Sequence, residues 1–132
     1  MIIDTDQFVG VPFVNRGRGP EGYDCWGLVM RVFEEYGIEL PDYRISCFAT
    51  RRIGIQVEVA RGDWVRLNKP EAPCIVTMRI DPAAPKLVNH IGAYVGGNRF
   101  LHTMKDTHSI LSRIDDVYFK GMIEGFYRYD PR

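Results

Sequence analysis

The clearest pattern of apolar positions in the chain lies between residues 24 and 37. Apolar or soft side chains recur there at steps of three and four, which places them on one stripe of a helix: Cys25, Leu28, Val29, Val32, Phe33 and Tyr36. Asp24 stands where an N-cap belongs, and Gly37 followed by Pro41 stops the helix. The pattern predicts a helix that begins at Cys25 or one residue earlier.

The second half of the chain has short apolar runs separated by turn residues. These runs predict strands over residues 74–80, 87–95, 99–104, 109–114 and 123–129, with a helical turn over 115–120. Residues 50–61 favour a second helix, although 55–59 also alternate as a strand does, and Trp64, Val65 and Leu67 are expected in the core or a lid. A helix followed by a meander of strands predicts an α+β fold with an antiparallel sheet. No repeat or linker divides it, so we expect a single domain over residues 1–132.

Composition excludes several classes of partner. With 132 residues, 45% apolar and 26% charged, the chain has the make-up of one globular domain. Its 17 acidic and 17 basic residues balance, which gives no reason to expect nucleic acid or an anionic membrane as partner. Residues Met1–Asp6 lack the basic and apolar regions of a signal peptide, and no run approaches a membrane span. We therefore expect a protein made in the cytoplasm without a signal peptide.

The three cysteines, at positions 25, 47 and 74, are odd in number and widely spaced. This spacing matches neither a disulfide framework nor a paired metal site, and it predicts free thiols. Cys25 differs from the other two because it begins the predicted helix, where the helix dipole favours thiolate over thiol. It is therefore a candidate nucleophile; the alternative is a small buried residue on the core stripe.

Two histidines lie on neighbouring predicted strands. His90 begins an alternating run, and His102 follows the turn residues Gly96, Gly97 and Asn98. In an antiparallel hairpin these side chains share a face only if the loop has an odd length or a bulge occurs. A three-residue loop would place His102 opposite Gly92, diagonal to His90, whereas a two-residue loop alone would separate the histidines.

If the histidines share a face, a thiol peptidase site follows. Cys25 would supply the nucleophile, His90 would accept its proton, and His102 would orient His90. The backbone N–H of Cys25 would help to stabilise an oxyanion. The alternatives are two histidines with a purely structural role, or a Cys-His-His zinc site that lacks a fourth ligand at usual spacing. Arg16 and Arg18, in the glycine-rich segment before the helix, would either grip a substrate carboxylate or be solvated, and we favour solvation.

Three segments resemble the NlpC family of papain-like cell-wall cysteine peptidases: Asp24–Val29, Asn89–Gly96 and Phe100–His102. The similarity extends from about Pro12 to Tyr129 and is greatest to the branch found in bacteriophage tail-assembly proteins. The resemblance implies a single papain-like domain in which a helix carrying the cysteine packs on an antiparallel sheet carrying the histidines. It also implies cleavage of peptidoglycan stem peptides next to a D-γ-glutamyl residue, without a metal or organic cofactor.

The resemblance assigns residues as well. It implies Cys25, His90 and His102 as the catalytic set, and Asp24 with its neighbours Tyr23 and Trp26 at the substrate. Phage membership implies other tail proteins as partners, and action in the virion tail or at the bacterial cell wall.

The chain departs from the family pattern at three sites: Trp26 replaces a common Ser, Phe13 replaces a Tyr, and the pair Pro73-Cys74 replaces a Gly-Asp pair. Two alternatives therefore stay open. One is a tail-assembly protein that keeps the fold without cutting the wall, and the other is a related thiol acyltransferase.

Overall fold

The computed structural model describes residues 1–43 and 60–131 of the chain. Within these residues lie two α-helices and six strands: α1 (Cys25–Glu35), β1 (Trp64–Leu67), β2 (Cys74–Met78), β3 (His90–Gly96), β4 (Arg99–His102), β5 (Ile110–Arg113), α2 (Val117–Lys120) and β6 (Ile123–Tyr129). The strands form one antiparallel sheet in the order β1-β6-β2-β3-β4-β5. The predicted α+β class is confirmed.

Helix α1 forms where the apolar stripe predicts it. Asp24 caps its first turn by accepting a hydrogen bond from the Gly27 N–H. At the other end Gly37 has a φ of 80°, and the N–H groups of Gly37 and Ile38 bond to the carbonyls of Glu34 and Phe33. This pattern is a Schellman motif, for which glycine is the favoured residue.

The predicted strands are all present, with shorter bounds for most, and the helical turn appears as α2. Strand β1 was not predicted: residues expected in a core or lid pair with β6, from Trp64 opposite Tyr129 to Leu67 opposite Phe126. The predicted helix over 50–61 lies almost wholly outside the described residues, which resume in a 3-10 turn at Ala60–Asp63.

Two apolar cores cover the two faces of the sheet. On one face α1 packs against β3 and β4, with Ile91, Ala93 and Leu101 in the same core as its stripe. The opposite core is smaller and includes Cys74, Val76, Met78, Tyr94, Phe100 and Phe119. Strands β2 to β4 are therefore buried on both faces. Among the residues that the structure describes, none of the helices has the length and apolar content that a membrane crossing requires.

The glycine-rich segment before α1, residues 16–22, is held against the start of the helix. The Gly17 carbonyl accepts a hydrogen bond from the Asp24 N–H at 3.2 Å, and the Gly17 N–H bonds to the Val14 carbonyl at 2.8 Å. A Cβ on Gly27 would lie 2.0 Å from the Gly17 oxygen. The absence of a side chain at Gly27 thus lets this segment contact the first turn of α1.

Candidate active site

Cys25 is the first residue of α1 and is only 1% exposed. The preceding residue, Asp24, is fully buried and places its Oδ1 atom 2.8 Å from the Gly27 nitrogen. A sulfur atom in this position lies at the positive end of the helix dipole. The structure therefore confirms the predicted location of the candidate nucleophile at a capped helix start.

The prediction of free thiols is confirmed for Cys74 and is wrong for Cys25, which is disulfide-bonded in this structure. The number and spacing of cysteines do not determine which sulfur atoms meet in the folded chain. Burial raises the pKa of the Cys74 thiol to about 12, so this thiol stays protonated at neutral pH. Cys47 lies outside the described residues. Cys25 becomes a thiol nucleophile only after reduction.

The histidines share a face of the sheet because the β3–β4 hairpin contains a bulge. Tyr94 pairs with Phe100 and Ala93 with Leu101, but the register shifts between Tyr94 and Gly96. The turn itself has two residues, Gly97 and Asn98, each with a φ of 61°. The shared face is therefore produced by a two-residue turn with an added bulge, and not by the three-residue loop considered above.

Gly92 permits the close approach of the two strands at this point. A Cβ there would lie 2.8 Å from Phe100 Cδ2, 2.9 Å from the Leu101 oxygen and 3.2 Å from the Cβ of His102. As predicted, His102 lies beside a residue that has no side chain. Any other residue at position 92 would push β4 away from β3.

The two imidazoles form part of a continuous polar chain. His90 Nε2 lies 2.8 Å from His102 Nδ1, and His102 Nε2 lies 2.8 Å from the hydroxyl oxygen of Ser112 on β5. Both histidines are buried, and the rings of Phe100 and Phe119 pack against His102 at centroid distances of 4.5 and 5.0 Å. Ser112 was missed by the sequence analysis, although its even position on β5 places it on the face of His102.

Burial keeps both histidines neutral. It lowers the pKa of His90 and His102 below the ordinary imidazole value, and for His90 the neighbouring His102 adds to the effect. Each neutral imidazole has one N–H group that donates a hydrogen bond and one ring nitrogen that accepts a hydrogen bond. The pair can therefore relay a proton, in a direction that depends on the tautomer of each ring.

The lowered pKa values predict that acid destabilises the fold. Below the ordinary imidazole pKa of about 6.5 the unfolded chain binds protons that the folded pair does not, so the free energy of unfolding falls as pH falls. Between about pH 7.5 and about pH 5.5 we expect the pair to account for a loss of about 1–3 kcal/mol. Urea unfolding at a series of pH values measures this loss.

The matched protein for that measurement is the double variant His90→Gln with His102→Gln. It lacks both groups, so its stability should change less over the same pH range, while contributions from other groups such as Asp24 cancel in the difference. If the free energy of unfolding depended on pH in the same way in both proteins, the histidines would not be a buried neutral pair.

Arg18 is not solvated as predicted. Its guanidinium lies 2.7 Å from Asp24 Oδ1 and makes two further hydrogen bonds to the carboxylate of Asp42. The pKa of the Asp24 carboxyl is raised above its usual value by burial, although the Gly27 N–H and the Arg18 charge act in the opposite direction. Arg18 thus neutralises the helix cap next to Cys25. Asp42 lies 24 positions from Arg18 and becomes its partner only through the tertiary fold, so this ion pair has no local signal in the sequence.

Trp26 and Tyr23 are both buried, at 2% and 5% exposure. The indole of Trp26 donates to the Pro41 carbonyl at 3.1 Å and packs on Tyr43 and Trp64. Trp26 therefore belongs to the core under α1. The substrate contacts that the resemblance assigns to Asp24, Trp26 and Tyr23 stay predictions.

A cleft of about 350 Å³ opens beside His90. Its lining includes residues from the ends of β2, β3 and β4: Ile80, Asp81, Asn89, His90, Thr103 and Met104. His90 is thus buried yet borders a space large enough for part of a peptide. Within residues 1–43 and 60–131, no cluster of three or more His, Cys, Asp or Glu side chains is arranged to hold a metal ion.

Comparison with known proteins identifies similar chains. A family model described as NlpC/P60 matches residues 10–128. A Gamma-DL-glutamyl hydrolase from Bacillus subtilis is 27% identical over 132 residues. A murein DD-endopeptidase and murein LD-carboxypeptidase from Escherichia coli is 29% identical over 122 residues, and a Gamma-D-glutamyl-L-lysine dipeptidyl-peptidase from B. subtilis is 28% identical over 124 residues. These alignments cover 98%, 87% and 92% of this chain but only 29%, 55% and 38% of the relatives.

Solved structures agree with the fold. An NLP/P60-family protein from Staphylococcus aureus superposes with a TM-score of 0.63 at 22% identity, covering 95% of this chain and 38% of that one. The protein NlpC2 from Trichomonas vaginalis gives a TM-score of 0.66 at 22% identity, covering 95% and 43%. The predicted arrangement, a cysteine-bearing helix on a histidine-bearing antiparallel sheet, is therefore confirmed.

Proposed function

Since this chain belongs to the NlpC/P60 family, we propose that it is a cysteine peptidase that cuts the stem peptides of peptidoglycan. The observation that carries the proposal is the hydrogen bond between two buried histidines on the strands that α1 packs against, with Cys25 at the start of that helix. The names of the relatives, a γ-DL-glutamyl hydrolase, a murein endopeptidase and a γ-D-glutamyl-L-lysine dipeptidyl-peptidase, support the same class of substrate.

In the proposed reaction, reduced Cys25 attacks the carbonyl carbon of the scissile amide. His90 accepts the thiol proton on Nδ1, because its Nε2 atom is engaged by His102. The tetrahedral oxyanion accepts a hydrogen bond from the backbone N–H of Cys25 at the positive end of α1. His90 then returns the proton to the leaving amine, and a thioester between Cys25 and the acyl fragment remains.

The second half of the reaction uses water. His90 removes a proton from a water molecule, which attacks the thioester carbonyl and breaks its bond to sulfur. His90 then gives that proton to the Cys25 sulfur, and the acyl fragment leaves as a carboxylic acid that loses its own proton to solvent. His102 takes no part in bond making. It holds the His90 ring in one orientation, as the third member of a triad does.

We further propose that the bond lies next to a D-γ-glutamyl residue and that the protein serves a phage or prophage tail. The first point is supported by the names of the two γ-glutamyl relatives from B. subtilis. The second rests on the resemblance of the three motif segments to tail-assembly proteins. The enzyme would then act in the virion tail or at the bacterial cell wall, beside other tail proteins.

Mass spectrometry of defined muropeptides, incubated with the reduced protein, tests the proposed function. We expect two fragments whose summed mass exceeds the substrate by one water, and their individual masses identify the bond. The same incubation without reductant is the control, since Cys25 is disulfide-bonded in this structure. If the reduced protein left all γ-glutamyl muropeptides intact, whatever their crosslinks, the result would favour a tail protein without wall-cutting activity. Transfer of the acyl fragment to an added amine would favour the acyltransferase.

A further inference from the structure

We propose that Ser112 is a positioning residue that sets the tautomers of both histidines and so makes His90 a base. The inference rests on the proposed function, because a base is needed only if Cys25 attacks a substrate. It concerns the resting protein, however, and is testable without any substrate.

Ser112 is placed to act on His102. Its hydroxyl oxygen lies 2.8 Å from His102 Nε2, which is the length of a strong hydrogen bond. Phe100 and Phe119 enclose the same imidazole, so the ring has little freedom to turn away. Ser112 lies on β5, which pairs with β4 with His102 opposite Ile110 and Phe100 opposite Ser112. The hydroxyl therefore reaches His102 diagonally across the two strands.

One orientation of this hydroxyl leads to an active base. If Ser112 accepts a hydrogen bond, the proton of neutral His102 is on Nε2 and its Nδ1 atom accepts. His90 must then donate from Nε2, since its Nε2 atom faces His102 Nδ1 at 2.8 Å. The lone pair of His90 is consequently on Nδ1, where it is available for the proton of the Cys25 thiol.

The opposite orientation leads to an inactive pair. If Ser112 donates to His102 Nε2, then His102 carries its proton on Nδ1 and donates to His90 Nε2. His90 then carries its proton on Nδ1 and has no lone pair for the thiol. A protonated His90 must also donate from Nε2 during the reaction, which only the first orientation accommodates. If His90 is the base, as proposed, Ser112 therefore acts as the acceptor at the end of the chain.

The direct test is the ¹⁵N spectrum of the imidazole rings, measured at neutral pH on the reduced protein. The distinct shifts of protonated and unprotonated ring nitrogens report the tautomer of each histidine. We expect His90 and His102 each to carry the proton on Nε2. Single His→Gln variants assign the signals, and exposed His108 serves as an internal reference. A proton on Nδ1 of either buried histidine would overturn the proposal.

Variants extend the test. Ser112→Ala should leave both rings as mixtures of tautomers, whereas Ser112→Thr should restore the wild-type spectrum because it keeps the hydroxyl. Arg113→Ala on the same strand, where the side chain is 56% exposed and bonds to Asp115, should leave the spectrum unchanged. A wild-type spectrum for Ser112→Ala would show that the serine does not set the tautomers.

Activity provides a second measurement with a distinct signature. With an accepted muropeptide, Ser112→Ala should lower kcat about 5- to 10-fold, the cost of one lost hydrogen bond, while KM stays unchanged. Ser112→Thr should recover kcat. An equal kcat for Ser112→Ala and wild type would overturn the role of Ser112. If no muropeptide is cleaved but both rings carry the proton on Nε2, the proposed function fails and the positioning by Ser112 stands.

Discussion

The variant Cys25→Ala is expected to leave no detectable cleavage of muropeptides, a loss of at least about 10⁴-fold, because removal of a nucleophile from a coupled set removes nearly all of its catalysis. In the proposed reaction the thiol makes the bond to the substrate, so neither His90 nor His102 replaces it. The measurement is single-turnover mass spectrometry with enzyme in excess over substrate. Under these conditions a single round of acylation by each enzyme molecule is enough to be detected.

Cys74→Ala is the matched control for that loss. Cys74 is a free thiol, buried on β2 in the smaller core, and burial keeps it protonated. Its replacement leaves a small cavity and is expected to cost about 1 kcal/mol in stability without changing the cleavage rate. Equal activity of Cys25→Ala and wild type would exclude Cys25 as the nucleophile, whatever the activity of the control.

The largest expected effect on stability comes from Gly27→Ala. In an open helix this change is favourable by about 1 kcal/mol. Here the new Cβ would lie 2.0 Å from the Gly17 oxygen and 3.2 Å from Asp24 Oδ1. The near neighbour is backbone, so relief requires the glycine-rich segment to move away from α1. We expect a net loss of about 3 kcal/mol or more in the free energy of unfolding, measured by urea denaturation.

Gly121→Ala is the control for this change. No heavy atom lies within 4 Å of a Cβ built on Gly121, and its φ of −79° suits any residue. We expect its stability to stay within about 0.5 kcal/mol of the wild type. If Gly27→Ala were as stable as Gly121→Ala, the contact between the glycine-rich segment and the helix start would be absent in solution.

The parts of the fold that were predicted correctly depend on local sequence. Helix α1 carries its cap, its apolar stripe and its glycine stop within fourteen consecutive positions, 24–37. The strands of the second half alternate or form apolar runs between turn residues. The two histidines were located on neighbouring strands because one short turn joins the two apolar runs that contain them.

The parts that were missed depend on contacts between distant positions. Strand β1 exists because β6 pairs with it, and its four residues do not by themselves indicate that distant partner. Arg18 has its ionic partner Asp42 24 positions away, and Ser112 meets His102 only through the register of β5. The bulge between Tyr94 and Gly96 is a similar case, because turn residues indicate a turn without fixing the pairing beyond it.

The position of Ser112 on β5 has a consequence for heating. In the order of the sheet β5 is the last strand, and strands at the end of a sheet open at a lower free-energy cost than central ones. Separation of β5 from β4 would release the far end of the His90–His102–Ser112 chain while α1 and the central strands stay folded. Under the proposed function, we therefore expect the loss of the Ser112 contact to lower kcat at temperatures below the melting temperature of the whole domain.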